Sequence, residues 1–116
     1  MSVLRIDTNV SHAVLEDAFF VQTTEALAKT LKTPKSDIIV FVNGDLPIIL
    51  AGSEEPAAIV TLLSINGINE IDNKLHSAAL FPLLTKSLNI NENRITIGFS
   101  SIDPHYMGNN GKMMIQ

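Results

Sequence analysis

Three histidines, a serine beside the first methionine and the absence of cysteine set the chemistry open to this chain. His12 and His105 stand alone, and Asp103-Pro104-His105 is too short and rigid to embrace an ion, so no metal site is expected. Serine, histidine and aspartate all occur, yet no Gly-x-Ser-x-Gly elbow exists to aim a nucleophile. Without cysteine there is no disulfide, no thiolate chemistry and no Cys-ligated metal. Gly108-Asn109-Asn110-Gly111 has the composition of a phosphate-binding loop but no helix after it, and reads as a turn. No cofactor is implied.

The composition narrows the partners. A chain of 116 residues is one domain, 1–116, large enough for a core of its own. Its 46% hydrophobic content and mean hydropathy of +0.25 are high beside only 17% charged residues, and surplus apolar surface usually ends in a subunit interface. A net charge of −4 with eight Lys and Arg speaks against nucleic acid as a partner. Arg5 and Asp7 interrupt any signal-like apolar run, and no stretch approaches the ~18 apolar residues of a membrane span, so no membrane partner is expected. Asn9-Val10-Ser11 fits the glycosylation pattern, which is idle without a secretory signal. The expected location is cytoplasmic.

The elements that would position a site come from an internal repeat. Residues 31–42, LKTPKSDIIVFV, lie against residues 88–99, LNINENRITIGF, and the same displacement lays Val3-Leu4-Arg5-Ile6 on Val60-Thr61-Leu62-Leu63. The shared pattern is strand, long helix, polar loop and strand, so the repeats, about 2–43 and 59–99, each read as a β-α-β unit. In the first, Leu15, Phe19, Ala26, Leu27 and Leu31 recur at helical spacing, with Ser11 as N-cap and Pro34 past the end. A β-branched strand follows over 37–42. Asn43-Gly44 then predicts a turn, with a short returning strand over 46–50.

Residues 57–65 read as a central strand buried on both faces. The second helix, about 72–88, carries two apolar stripes, Leu75/Ala79/Leu83 and Leu80/Leu84/Leu88, one more than a monomer's surface helix needs. Pro82 predicts a kink or a restart within it, since an interior proline costs about 3 kcal/mol. A strand over 94–99 and a last short strand over 112–115 complete the chain. The fold class is α/β, layered as α+β: two pseudo-symmetric β-α-β units forming a four-stranded mixed sheet with both helices on one face. The bare apolar face would be covered if three sheets closed around an axis, as a homotrimer.

Three stretches carry a resemblance: Val3-Leu4-Arg5-Ile6-Asp7-Thr8-Asn9-Val10, Gly52-Ser53-Glu54-Glu55-Pro56 and Asp72-Asn73-Lys74-Leu75-His76-Ser77-Ala78. In order and spacing they resemble the family of macrophage migration inhibitory factor and D-dopachrome tautomerase, over Val3 to about Gly111. The resemblance implies the same homotrimer, a pocket between subunits for keto–enol isomerisation of small aromatic keto acids such as phenylpyruvate, possible recognition by a receptor or other protein, and export without a signal peptide. Members begin Met-Pro and use the proline amine as catalytic base. This chain begins Met1-Ser2.

If Met1 is removed, Ser2 would offer a primary amine; a free α-amino group titrates at roughly 7.7–8, and only its neutral form accepts a proton from carbon. If Met1 stays, Ser2 has only an amide nitrogen. Thr33 stands at the family's lysine position, and Lys32 falls one residue early, turned by about 100° if still helical. Ser64 and Ile65 match the family's substrate-facing segment, although Ile65 also reads as a buried strand residue. Lys32 reads equally as a solvated cation at a helix C-terminus. Thr96 and Gly98 replace a tyrosine and an asparagine, Ala57-Ala58-Ile59-Val60 replaces the Cys-x-x-Cys of some members, and His76 reads as a helix surface or interface residue. With both the proline and the lysine replaced, the resemblance points to a trimer with a degraded tautomerase site that acts by protein binding or cytokine-like signalling. The alternatives are a weak tautomerase using the Ser2 amine and a binder of small ligands.

Overall fold

The computed structural model describes residues 1–115. Four strands, β1 (Ser2–Thr8), β2 (Ile38–Asn43), β3 (Ala58–Ser64) and β4 (Ile95–Ser101), form one sheet in the order β2-β1-β3-β4. β1 runs parallel to β2, β3 runs parallel to β4, and the two pairs meet antiparallel at β1 and β3. Each parallel pair is joined across a helix, α1 (Asp17–Leu31) or α2 (Glu70–Leu88), so the doubling in the sequence becomes a doubling in space.

The helices bury one stripe each against one face of the sheet. From α1 this is Phe19, Thr23, Leu27 and Leu31; from α2 it is His76, Leu80, Leu84 and Leu88, each set stepping four residues at a time. They meet Leu4, Ile6, Ala58, Val60 and Leu62 of the central strands. The second predicted stripe of α2 is not core: Leu75 is half exposed and Ala79 and Leu83 are partly buried. β3 alternates buried and accessible residues and is not buried on both faces in the single chain. Ile59 and Ile39, 52% and 47% exposed, and Phe41 stand on the uncovered face, where Arg5 Nε pairs with Asp7 Oδ2 at 2.9 Å.

Four local expectations are corrected. α2 runs through Pro82 without ending and restarting. Proline has no N–H for the Ala78 carbonyl, but both residues lie on the exposed side while the buried stripe continues on the other. Ser11 caps a single 3₁₀ turn, His12–Val14, and α1 begins only at Asp17. The chain over 46–50 makes no strand beyond a bridge from Leu50 to Ser53. After Gly44 its amides turn instead to β1 and beyond, Asp45 N–H donating to the Val10 carbonyl and Leu46 N–H to that of Thr8. Gly44 permits this approach, since a Cβ there would lie 2.7 Å from the His12 nitrogen. Last, the terminal strand is a hairpin, β5 (Gly108–Asn109) with β6 (Lys112–Met113), turned by Asn110 and Gly111 at φ 54° and 78°.

Candidate functional site: the cleft at the start of β1

Ser2 is a fully paired strand residue. It faces Ile38 on one side and Ser64 on the other, and is 3% exposed. Its hydroxyl lies 2.8 Å from the Ser64 hydroxyl. Ser64 donates to the Asn66 carbonyl at 2.6 Å, so the proton between the serines comes from Ser2. One residue earlier, the Met1 carbonyl accepts the Ile65 N–H at 3.3 Å.

A cavity of about 80 Å³ opens beside this pair, lined by Met1, Ser2, Leu31, Lys32, Thr33, Ser64 and Asn66. The structure thus brings Ser2, Lys32 and Ser64 together from three elements. Ile65 is adjacent through its amide, but its half-buried side chain lies beyond the end of β3 and outside the core cluster, so its expected place as a buried strand residue is corrected. The helical offset expected of Lys32 also does not apply. α1 ends at Leu31, and Lys32 is its left-handed C-cap at φ 55°, ψ 47°, a conformation more often given to glycine. Both Lys32 and Thr33 direct their N–H groups to the Ala28 carbonyl, and both side chains border the cleft.

His76, expected at a helix surface or interface, is instead fully buried in the single chain. Its Nε2 lies 2.7 Å from the Gly67 carbonyl, which can only accept, so Nε2 carries a proton, and in the neutral ring Nδ1 accepts from the Thr30 hydroxyl at 2.8 Å. The ring lies 6.1 Å from that of Phe99, tilted by 34°. Helix periodicity held the signal, since His76 stands four residues before Leu80 on the buried stripe; its polarity hid it.

At the other end of β1, Asn9 and Arg94 clamp the loop over 50–56. Asn9 Nδ2 donates to the Glu54 and Glu55 carbonyls and Oδ1 accepts from Ala57 N–H, so its amide is fully engaged with backbone. Arg94 donates to the carbonyls of Leu50, Ser53, Glu55 and Pro56 at 2.9–3.2 Å. Among the described residues no group of acidic, histidine or cysteine side chains is arranged to hold a metal, and no helix is long and apolar enough to cross a membrane.

Two doubled β-α-β units with a cleft at the first strand's N-terminus define a class of small α/β proteins. The family model for macrophage migration inhibitory factor matches residues 1–115. A macrophage migration inhibitory factor homolog of Brugia malayi is 34% identical over 111 residues, covering 96% of each chain. D-dopachrome decarboxylase of Gallus gallus is 32% identical over 115 residues, covering 98% of each. The solved structure of the macrophage migration inhibitory factor from Trichinella spiralis superposes with a TM-score of 0.91 at 33% identity, covering 96% of this chain and 98% of that one. This chain belongs to the macrophage migration inhibitory factor family.

Proposed function

We propose that the chain forms a homotrimer that acts chiefly through recognition by another protein, cytokine-like, with little tautomerase turnover. The observation that carries this reading is the state of position 2. Ser2 is paired on both sides, its hydroxyl is spent on Ser64, and the Met1 carbonyl holds the Ile65 N–H. With Met1 in place the cleft contains an amide where proton abstraction needs a basic amine. The apolar residues on the uncovered sheet face, Ile39, Phe41 and Ile59 among them, support the trimer.

A second reading is favoured by the convergence of Ser2, Lys32 and Ser64 on one cleft. Removal of Met1 would free both the Ser2 amine and the Ile65 N–H, giving a base and a donor beside the exposed Lys32 cation. Weak keto–enol tautomerase activity on a small aromatic keto acid is the chemistry that set permits.

The deciding experiment measures phenylpyruvate tautomerisation by protein whose N-terminus is established from intact mass, with sedimentation to read the assembly. Slow or undetectable turnover by a trimer is expected. Turnover equal to that of ordinary family members would overturn the non-catalytic reading, and a stable monomer would overturn the trimer.

A further inference from the structure

We propose that His76 is a positioning residue for Ser2, acting through two consecutive carbonyls of the turn that follows β3. The Gly67 carbonyl accepts from His76 Nε2 at 2.7 Å. The preceding carbonyl, of Asn66, accepts from Ser64 Oγ at 2.6 Å, and Ser64 in turn holds Ser2 at 2.8 Å. The imidazole therefore holds the peptide next to the one on which the Ser64–Ser2 pair hangs, with Gly67 as the joint between them.

The same ring fixes the opposite wall. Nδ1 is hydrogen-bonded to the hydroxyl of Thr30, one residue before Leu31 and two before Lys32, both of which border the cleft. Turn and helix end are pressed together here, since a Cβ on Gly67 would lie 3.1 Å from Leu31 Cδ2. His76 bonds a residue next to each wall, Gly67 beside Asn66 and Thr30 beside Leu31, and neither nitrogen is left for another partner. A phenylalanine would fill the space but leave a part-buried carbonyl and hydroxyl to find new partners, which is how the turn would move.

The inference concerns the same cleft but does not depend on turnover, so the test reads Ser2 directly. The chain is released from a cleavable leader directly before Ser2, leaving a terminal 1,2-amino alcohol. Periodate oxidises such a terminus through a cyclic intermediate that needs the amine and hydroxyl together, so a hydroxyl held by Ser64 must first let go. Ser64→Ala should speed oxidation by about 2- to 10-fold, the effect of one ordinary hydrogen bond. His76→Phe should also speed it, and the double variant should be no faster than Ser64→Ala alone, because both act on one linkage. His76→Gln, which keeps an N–H for Gly67, should stay near the parent rate. Thr30→Val is the milder variant and should give a smaller rise.

Multiplicative effects of Ser64→Ala and His76→Phe would overturn the proposal, leaving His76 a stabiliser only. An unchanged rate in folded His76→Phe, or in Thr30→Val should His76→Phe fail to fold, would overturn it as well. A protein silent toward keto acids gives the same readout, so failure here and failure of the tautomerase reading remain separate results.

Discussion

Ser2 and Ser64 face one another across the antiparallel pairing of β1 and β3 with their hydroxyl oxygens 2.8 Å apart, both buried. The pair commits the Ser2 side chain to structure. Ser64→Ala leaves the Ser2 hydroxyl buried without its acceptor and should lower stability by about 1–3 kcal/mol. Replacing both serines by alanine should cost less than the sum of the single changes, since no orphaned hydroxyl remains. Denaturant titration at fixed protein concentration measures this, and strict additivity would show that the pair is not coupled.

Ser2→Pro, in protein shown by mass to lack Met1, should raise phenylpyruvate tautomerisation above the parent. Adding Thr33→Lys should raise it further, because Thr33 already borders the cleft. General-base assistance is typically worth about 10²–10⁴-fold, so restoration is readily seen. No gain from the double change would mean that the cleft itself has lost the shape needed for a keto acid.

Arg94→Met keeps length and loses the four hydrogen bonds that now hold four carbonyls of the loop over 50–56. A loss of at least about 2 kcal/mol is expected, with amide exchange rising first in that loop. Protection lost evenly over the sheet would argue against a local clamp.

Gly67→Ala should destabilise by about 1–2 kcal/mol, since Gly67 holds φ +83° and a new Cβ would press on Leu31. The resonances of Leu31 and Lys32 should shift with it. A variant as stable as the parent would show that the turn can move away from α1 freely.

Asp103 is exposed, and the His105 backbone N–H and then its side chain, both bonded to the carboxylate, lower its pKa from 3.8. Its depressed folded value means that the carboxylate favours the folded turn above the unfolded pKa. That contribution is lost as pH falls from about 3.8 through the lower folded value. The 3₁₀ turn Pro104–Tyr106 should therefore loosen only in that acid range, seen as Tyr106 chemical shifts moving toward random coil. Asp103→Asn, which can still accept from the His105 N–H, should flatten the pH dependence; an unchanged profile would assign it to another group.

Much of the fold was legible because local periodicity and the repeat speak for themselves. The four strands and the two helices follow from apolar patterning, 3.6-residue spacing and self-similarity, whereas the antiparallel pairing of β1 with β3 is decided only in space. The cleft was legible only through resemblance, since no short motif marks Ser2 or Lys32. What misled was context. Pro82 looked like a break, yet a proline on the exposed side leaves its orphan carbonyl to water while the buried stripe holds the helix. The polarity of imidazole suggests a helix surface or interface for His76, and it is buried because Gly67, nine residues away, and Thr30, 46 residues away, engage both ring nitrogens.

By itself, then, the sequence determined the doubled architecture, the family and the absence of cysteine chemistry, because these depend on residue types and their spacing. Only the tertiary structure decided that Ser2 spends its hydroxyl on Ser64, that Lys32 leaves the helix in a left-handed turn to border the cleft, and that His76 joins Thr30 to Gly67. Each of these is a meeting of residues remote in the chain or a backbone angle. Sequence periodicity carries information along the chain, whereas a hydrogen bond requires a direction in space, and that direction exists only once the sheet and helices have packed.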